Sequence, residues 1–496
     1  MANGSTVREY QHYVNGNWSA SDSGRMIDRK SPATGEFVAR FADGTPADTN
    51  KAIAVARNAF DSGPWPRMSG MERGRVLFRL AEKMRSEIER LARIETEENG
   101  KPIRMARGDI EGSIGLIEYA AGLAQQMHGE SYTNFGDKHT ALVVREPVGV
   151  VGLITPWNFP ALIYCQKMPF ALAAGCTVVV KPSEFTSSTT IEITRLAEKA
   201  GVPAGVINVV TGYGPQVGQA LVDSPDIDFI SFTGSTATGQ RIIAGAAGTM
   251  KKTSVELGGK SANIVFADAD LDDAADGAMF GIFFNNGETC CAGSRLIIED
   301  SIADAFLDKL AQRAKRLKVG NPMQEDTDIG ALIHPEHAAK VMGFIKQGQE
   351  QGAKLLTGGH QVESEACPTG CFVAPTIFDH VGQETSIFQE EIFGPVLSVT
   401  RFHTMEEAIA IANNSKYGLA SAVWTKDVDK AMIVSREMKA GTVWVNTMID
   451  GSPQLPFGGY KGSGFGREMG QAGFEEFTEL KAINIHIGKR TPYYTS

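Results

Sequence analysis

The sequence predicts an α/β fold of parallel sheets flanked by helices, divided into two or three structural units. Three observations carry this expectation. Short β-branched runs alternate with amphipathic helix patterns along most of the chain. The chain has 496 residues, 42% of them apolar, which is more than one hydrophobic core accommodates. Charged residues make up 21% and Gly is abundant at 54, the composition of an ordinary globular α/β protein.

Taken in chain order, 48–62 and 71–98 read as surface helices with Arg and Glu on the polar face. A β-rich patch follows at 141–145. The strand candidates are 148–154, Thr177–Lys181, 207–210, 228–232, 262–266 and 442–446, all rich in β-branched residues. Between them Ser187–Ala200, 303–317 and 336–352 repeat apolar residues at helical spacing. The stretch 479–487 alternates as a half-buried strand does. It has to pair with a partner subunit or with a strand of the same chain. No internal repeat or low-complexity segment interrupts the pattern.

Lys and Arg number 48 against 58 Asp and Glu, a net charge of −10. That balance disfavours non-specific nucleic-acid binding, and no Lys/Arg-rich run marks a nucleic-acid patch. The first residues lack an apolar h-region, so no secretory signal is expected. The longest uncharged run lies between Glu146 and Lys167 and carries Pro147, Pro156, Asn158, Pro160 and Gln166. It reads as buried strand, loop and helix start rather than a membrane span. The six cysteines, Cys165, Cys176, Cys290, Cys291, Cys367 and Cys371, form no disulfide framework, and a reducing cytoplasm is the expected location. Cys367 and Cys371 flank Pro368 and Gly370 and read as loop cysteines.

Five segments suggest chemistry. In 228–239 (DFISFTGSTATG) an apolar strand runs into Gly234, and Ser235 or Thr236 can cap the helix that follows. A helix start offers free N–H groups to a phosphate. The segment is neither G-x-G-x-x-G nor a P-loop, and alone it is more often a plain cap. In 177–184 (TVVVKPSE) a buried strand ends in Lys181 and Glu184, placed to reach ribose hydroxyls at the carboxyl end of a sheet. The plainer alternative is a solvated turn with a surface ion pair.

In 283–295 (FFNNGETCCAGSR) Cys290 and Cys291 sit among small residues. Such a thiol becomes reactive where nearby donors hold its thiolate, whereas most free cysteines are inert core residues. Zinc is not expected, because there is no C-x-x-C spacing and no nearby His. The His334-Pro335-Glu336-His337 run reads as a helix start. In 255–261 (VELGGKS) Glu256 ends an apolar strand as either a solvated turn residue or a buried base with a raised pKa. In 155–160 (TPWNFP) Asn158 is an amide that could donate to a developing oxyanion or merely satisfy a buried loop.

Together and in this order, these segments closely resemble the aldehyde dehydrogenase superfamily of the hydrolytic, NAD(P)-dependent type. The resemblance extends to 389–395 (QEEIFGP) and 455–467 (LPFGGYKGSGFGR) and covers nearly the whole chain. It implies a Rossmann-like nucleotide-binding domain over 1–128 and 148–258, and a catalytic α/β domain over 259–477. A small β oligomerisation element would combine 129–147 with 478–496, in a homo-oligomer that is a dimer or tetramer. Cys290 is then the nucleophile, Glu256 the general base and Asn158 an oxyanion donor. Lys181 and Glu184 hold the adenosine ribose, Gly234 and Ser235 the pyrophosphate turn, and Glu391 and Phe393 the nicotinamide end. Ile154, Thr155, Pro156, Trp157, Gly214, Gly218, Phe232 and Leu257 complete the cofactor set. The implied cofactor is NAD, favoured over NADP by the Glu184 carboxylate, with NADP still compatible. A sulfur held ionised beside the nicotinamide, with a carboxylate near enough to deliver water, is the expected centre.

The implied substrate pocket contains Phe159, Gln166, Thr289, Cys291, Met448, Ile449, Asp450, Gly451 and Phe457. Gln166 and Gly451 stand where many relatives carry large aromatics. A wider, more polar pocket for an amino- or hydroxy-aldehyde follows, with Asp450 at its rim. A CoA-acylating relative would usually lack Glu256, and a silent relative would not keep Cys290, Glu256 and Asn158 together.

Overall fold

The computed structural model describes residues 7–363 and 368–494; Cys367 lies outside them. Five fully buried or nearly buried strands form the parallel centre of an eight-stranded sheet. Their order is Lys252–Glu256, Phe229–Thr233, Val150–Ile154, Thr177–Lys181 and Ile207–Val209. Such strands are apolar on both faces because helices cover both. His12–Val14 and Asn17–Ser19 extend one edge antiparallel, and Gly464–Phe465 pairs antiparallel with Lys252–Glu256 at the other. The chain leaves Val150–Ile154 to one side and returns to the other at Phe229–Thr233. The carboxyl ends of these two neighbours therefore open a crevice at a topological switch point.

A second sheet of seven strands holds Arg295–Glu299, Ala262–Val265, Ala420–Trp424 and Thr442–Val445 in parallel. Only its edge strand Lys354–Thr357 is antiparallel. A third sheet joins Glu130–Tyr132, His139–Pro147 and Thr478–His486, with nine registered pairs from Thr478↔Pro147 to His486↔His139. The terminal strand thus pairs within the chain. It is not half-buried as its alternation suggested: eight of its nine residues are exposed.

The helix expected over 71–98 is two helices, Gly70–Arg85 and Ile88–Asn99. Ser69 and Glu72 form a capping box on the first, and Gly100 at φ 93° closes the second. They are amphipathic, with Leu77, Leu80 and Leu91 fully buried. The next helix, Ile103–Leu123, packs on Pro160–Ala174 and was not expected from the sequence. Its Gly108, Gly112, Gly115 and Gly122 depress helix propensity by roughly 1 kcal/mol each, and packing overrides them. No helix among the described residues is long and apolar enough to cross a membrane.

Candidate active site

The helix Leu271–Phe283 ends in three consecutive left-handed residues: Asn285 at φ 51°, Asn286 at 59° and Gly287 at 76°. Strain of this kind persists only where the surroundings over-determine it. Here the Asn285 amide donates to the carbonyls of Asn158 and Glu288, both at 3.1 Å. The Asn286 amide donates to the Ala331 carbonyl and its oxygen accepts from Gly330 N–H. The buried Glu288 carboxylate accepts from Ile333 N–H at 3.0 Å. A Cβ on Gly287 would lie 2.3 Å from the Gly394 carbonyl carbon. The loop that presents Cys290 is therefore fixed on several sides.

Cys290 borders two cavities, one of about 260 Å³ and one of about 480 Å³. The smaller opens at the switch point. Of the residues expected to hold a cofactor, Pro156, Trp157, Gly234, Ser235, Leu257, Glu391 and Phe393 line it, and so does Asn158. Ile154 and Phe232 are buried strand ends beside it. Lys181, at the end of its strand, pairs with Glu184 at 3.0 Å. Gly214 and Gly218 sit outside the cavity, at the two ends of one π-helical turn, with Gly218 against Ile154. Thr155 is buried, and its hydroxyl has no partner among the described residues.

This cleft fits a dinucleotide. Ser235 caps the helix Thr236–Ala246, so a helix N-terminus with its partial positive charge faces the crevice. A Cβ on Gly258 would lie 2.2 Å from the Glu391 carboxylate, so only glycine lets that group reach the cavity. Glu391 accepts from Gly259 N–H at 3.0 Å, and desolvation pushes its carboxyl up to about 7. Phe393 is left-handed at φ 62°. Trp157 meets it edge-on at 5.3 Å, and the Phe393 carbonyl is hydrogen-bonded to the His337 ring at 2.7 Å. Burial lowers His337 to about 4, so that ring is neutral.

The larger cavity is lined by Phe159, Gln166, Thr289, Cys291, Ile449, Asp450, Gly451 and Phe457. Met448 is the exception to the expected set. Trp444 Nε1 bonds the Asp450 carbonyl and Ile449 adopts φ 54°, so the chain reverses at 449. Ile449 faces the cavity, while the Met448 side chain turns inward against Gly281 and Gly293. The cavity is wide, because Cβ atoms on Gly115 and Gly451 would meet nothing within 4 Å. Its walls are less polar than expected: Leu116, Leu162, Phe280, Phe284 and Trp444 dominate. Asp450 is exposed at the rim.

Glu256 ends its strand but borders neither cavity. It is 4% exposed and neither carboxylate oxygen has a hydrogen-bond partner among the described residues. The carboxyl faces Gly458, whose added Cβ would sit 2.8 Å from Oε1. Desolvation, then the charge of Glu468, raise its pKa well above the carboxylate range, and Lys167 and Arg467 oppose them. Lys167 is fully buried, bonded to Glu468 and, at 2.9 Å, to Ser231 Oγ. The Cys290 thiol is also pushed well up, first by its hydrogen bond with Cys291, then by desolvation. A neighbouring sulfur and buried carboxyls, rather than cations, surround the thiol and disfavour its ionisation. The sequence reading missed Lys167, Glu468 and His337, since a lone charged or polar residue carries no mark of burial.

The fold and site define a dehydrogenase that works through a cysteine adduct, with the sulfur between a dinucleotide cleft and an organic-substrate tunnel. The model of the aldehyde dehydrogenase family matches residues 18–483. The chain is 45% identical over 471 residues to the betaine aldehyde dehydrogenase of Bacillus subtilis (strain 168), covering 95% of this chain and 96% of that protein. The crystal structure of an NAD-dependent aldehyde dehydrogenase from Sinorhizobium meliloti superposes with a TM-score of 0.96 at 47% identity, over 98% and 96% of the two chains. That of the Staphylococcus aureus betaine aldehyde dehydrogenase in complex with NAD+ gives 0.96 at 39%, over 98% and 96%. The chain belongs to the aldehyde dehydrogenase family.

Proposed function

We propose that the enzyme uses NAD+ to oxidise a bulky aldehyde, apolar near the carbonyl and polar at its far end, to the carboxylic acid. The observation that carries this is that Cys290 borders both cavities. Trp157, Glu391 and Phe393 would hold the nicotinamide end, Gly234 and Ser235 the pyrophosphate, and Lys181 and Glu184 the adenosine ribose. Bound NAD+ supplies a hydride acceptor on the smaller-cavity side of the sulfur. The Glu184 carboxylate bonds a free 2′-hydroxyl and repels a 2′-phosphate.

Cys290 gives its proton to solvent, and its sulfur adds to the aldehyde carbon entering from the tunnel as the carbonyl π pair moves onto oxygen. One Asn158 amide hydrogen is committed to the Glu288 carbonyl at 3.0 Å, and the second is free to bond the oxyanion. Loss of hydride leaves a thioester on Cys290. Glu256 swings from Gly458 toward the sulfur, takes a proton from water, and the hydroxide releases the acid and the thiol. The charges of the bonded pair Lys167 and Glu468 act on the Glu256 carboxyl in opposite senses. Lys181 acts through the cofactor rather than on the substrate.

The substrate reading rests on the apolar walls, with Asp109, Gln166, Thr289, Thr442, Asp450 and Ser452 as the polar groups along the tunnel. An NADH absorbance assay across an aldehyde panel tests it. Aldehydes with an apolar body and a hydroxyl or amino terminus should give kcat/KM at least about tenfold above acetaldehyde, the worth of one or two buried methylenes. Equal or higher kcat/KM for acetaldehyde would sink the substrate class. A homo-oligomer is supported by the exposed Leu480, Ile483 and Ile485 on the terminal strand, and a reducing, cytoplasmic setting by the free cysteines.

A further inference from the structure

We infer that Lys101, with Asn99 and Glu95 beside it, is a positioning residue that fixes the loop 157–161 and thereby aims the Asn158 amide. The inference rests on the reading of Asn158 as the oxyanion donor. Three contacts grip the segment 157–161, whose last two residues open the helix Pro160–Ala174, from one direction, the C-terminal part of Ile88–Asn99 and the turn that follows it. The Asn99 amide donates to the Trp157 carbonyl at 2.8 Å. Glu95 Oε2 accepts from Ala161 N–H at 3.2 Å. The Lys101 ammonium lies 4.3 Å from the centroid of the Phe159 ring, within cation–π range. Lys101 N–H in turn donates to the Asn99 side-chain oxygen, tying the contacts together. From the opposite direction, Asn285 bonds the Asn158 carbonyl.

Lys101 is fully buried, paired with Asp109 at 2.5 Å and Glu95 at 3.4 Å. A buried ion pair is a poor source of stability, since an apolar side chain of the same volume serves as well or better. What the charge adds is direction: it draws the two carboxylates and one ring face to a single point. Glu95 meets the loop at Ala161, two residues after the ring. Asn158 sits between the anchored carbonyl of Trp157 and the anchored ring of Phe159, so its amide inherits their placement. A misplacement of about 1 Å at a reacting group costs on the order of 100-fold in rate.

The test is a double-mutant cycle on the single-turnover rate of NADH formation, with Lys101→Met, Asn158→Ala and the double variant. Lys101→Met alone should slow that step about 10- to 100-fold, while NAD+ affinity, read by quenching of protein fluorescence, stays unchanged. In the Asn158→Ala background it should add no more than about 2-fold, because the group it aims is gone. A role in folding alone would lower Tm and leave the two effects multiplying. Full multiplication, or a wild-type rate in Lys101→Met, overturns the inference. A wild-type rate in Asn158→Ala instead overturns the oxyanion reading on which it rests. Should Lys101→Met fail to fold, Asn99→Ala, which removes the bond to the Trp157 carbonyl and the one from Lys101 N–H, enters the same cycle with the same two outcomes.

Discussion

Replacing Glu256 with Gln separates the two halves of the reaction. The side chain is 4% exposed and neither oxygen has a hydrogen-bond partner among the described residues, so an amide of the same shape loses none of them. The variant should fold, and the sign of its stability change follows from linkage. The folded-state pKa of Glu256 is raised well above 4.5, so the native state binds more protons than the unfolded state at any pH between those values. That contribution is full below 4.5 and is lost as pH climbs toward the raised value. Glu256→Gln should therefore match the wild type near pH 4.5 and gain relative stability as pH rises to 8, read as a growing Tm difference. Catalytically, a general base contributes about 10²–10⁴-fold, which is about 3–5 kcal/mol of barrier, and steady-state turnover should fall by that factor. Acylation precedes the water step, so stopped-flow absorbance should still show one NADH per active site. The rise of the wild-type kcat with pH, which follows ionisation of the raised carboxyl, should disappear. A variant that loses the burst, or turns over within threefold of wild type, refutes the assignment of Glu256 to deacylation.

Cys290→Ala should abolish aldehyde oxidation while NAD+ still quenches protein fluorescence, because the small cavity keeps its other walls; measurable turnover would remove the nucleophile from this position. Gly287→Ala should lower Tm and activity together, since φ 76° and a Cβ 2.3 Å from the Gly394 carbonyl carbon cost about 1–3 kcal/mol or more. Gly451→Ala, with nothing within 4 Å of the new methyl, should stay within about 0.5 kcal/mol of wild type in a denaturant titration; equal losses at 287 and 451 would contradict the strained-loop account.

The sequence exposed strands and strand ends well, because β-branched runs buried on both faces are hard to mistake. Those ends carry Thr155, Lys181, Gly234 and Glu256, which is why much of the cleft could be read in advance. What stayed hidden depended on tertiary context. The glycine-laden Ile103–Leu123 is packed by Gly70–Arg85, Ile88–Asn99 and Pro160–Ala174, which offset its low propensity. The inward turn of Met448 follows from a left-handed Ile449 that no local pattern announces. Burial of Lys101, Lys167 and Glu468 is invisible in one dimension, since a charged residue in a helix or turn reads as solvated. The resting protonation of Cys290 likewise depends on which groups the fold gathers around the sulfur.

The covalent intermediate can be weighed directly. Glu256→Gln mixed with NAD+ and excess aldehyde, quenched in acid after one turnover and digested, should show the peptide carrying Cys290 heavier by the acyl group of that aldehyde, with every other cysteine peptide unchanged. An unmodified Cys290 peptide alongside a full complement of NADH, or an acyl group on any other residue, would contradict the account.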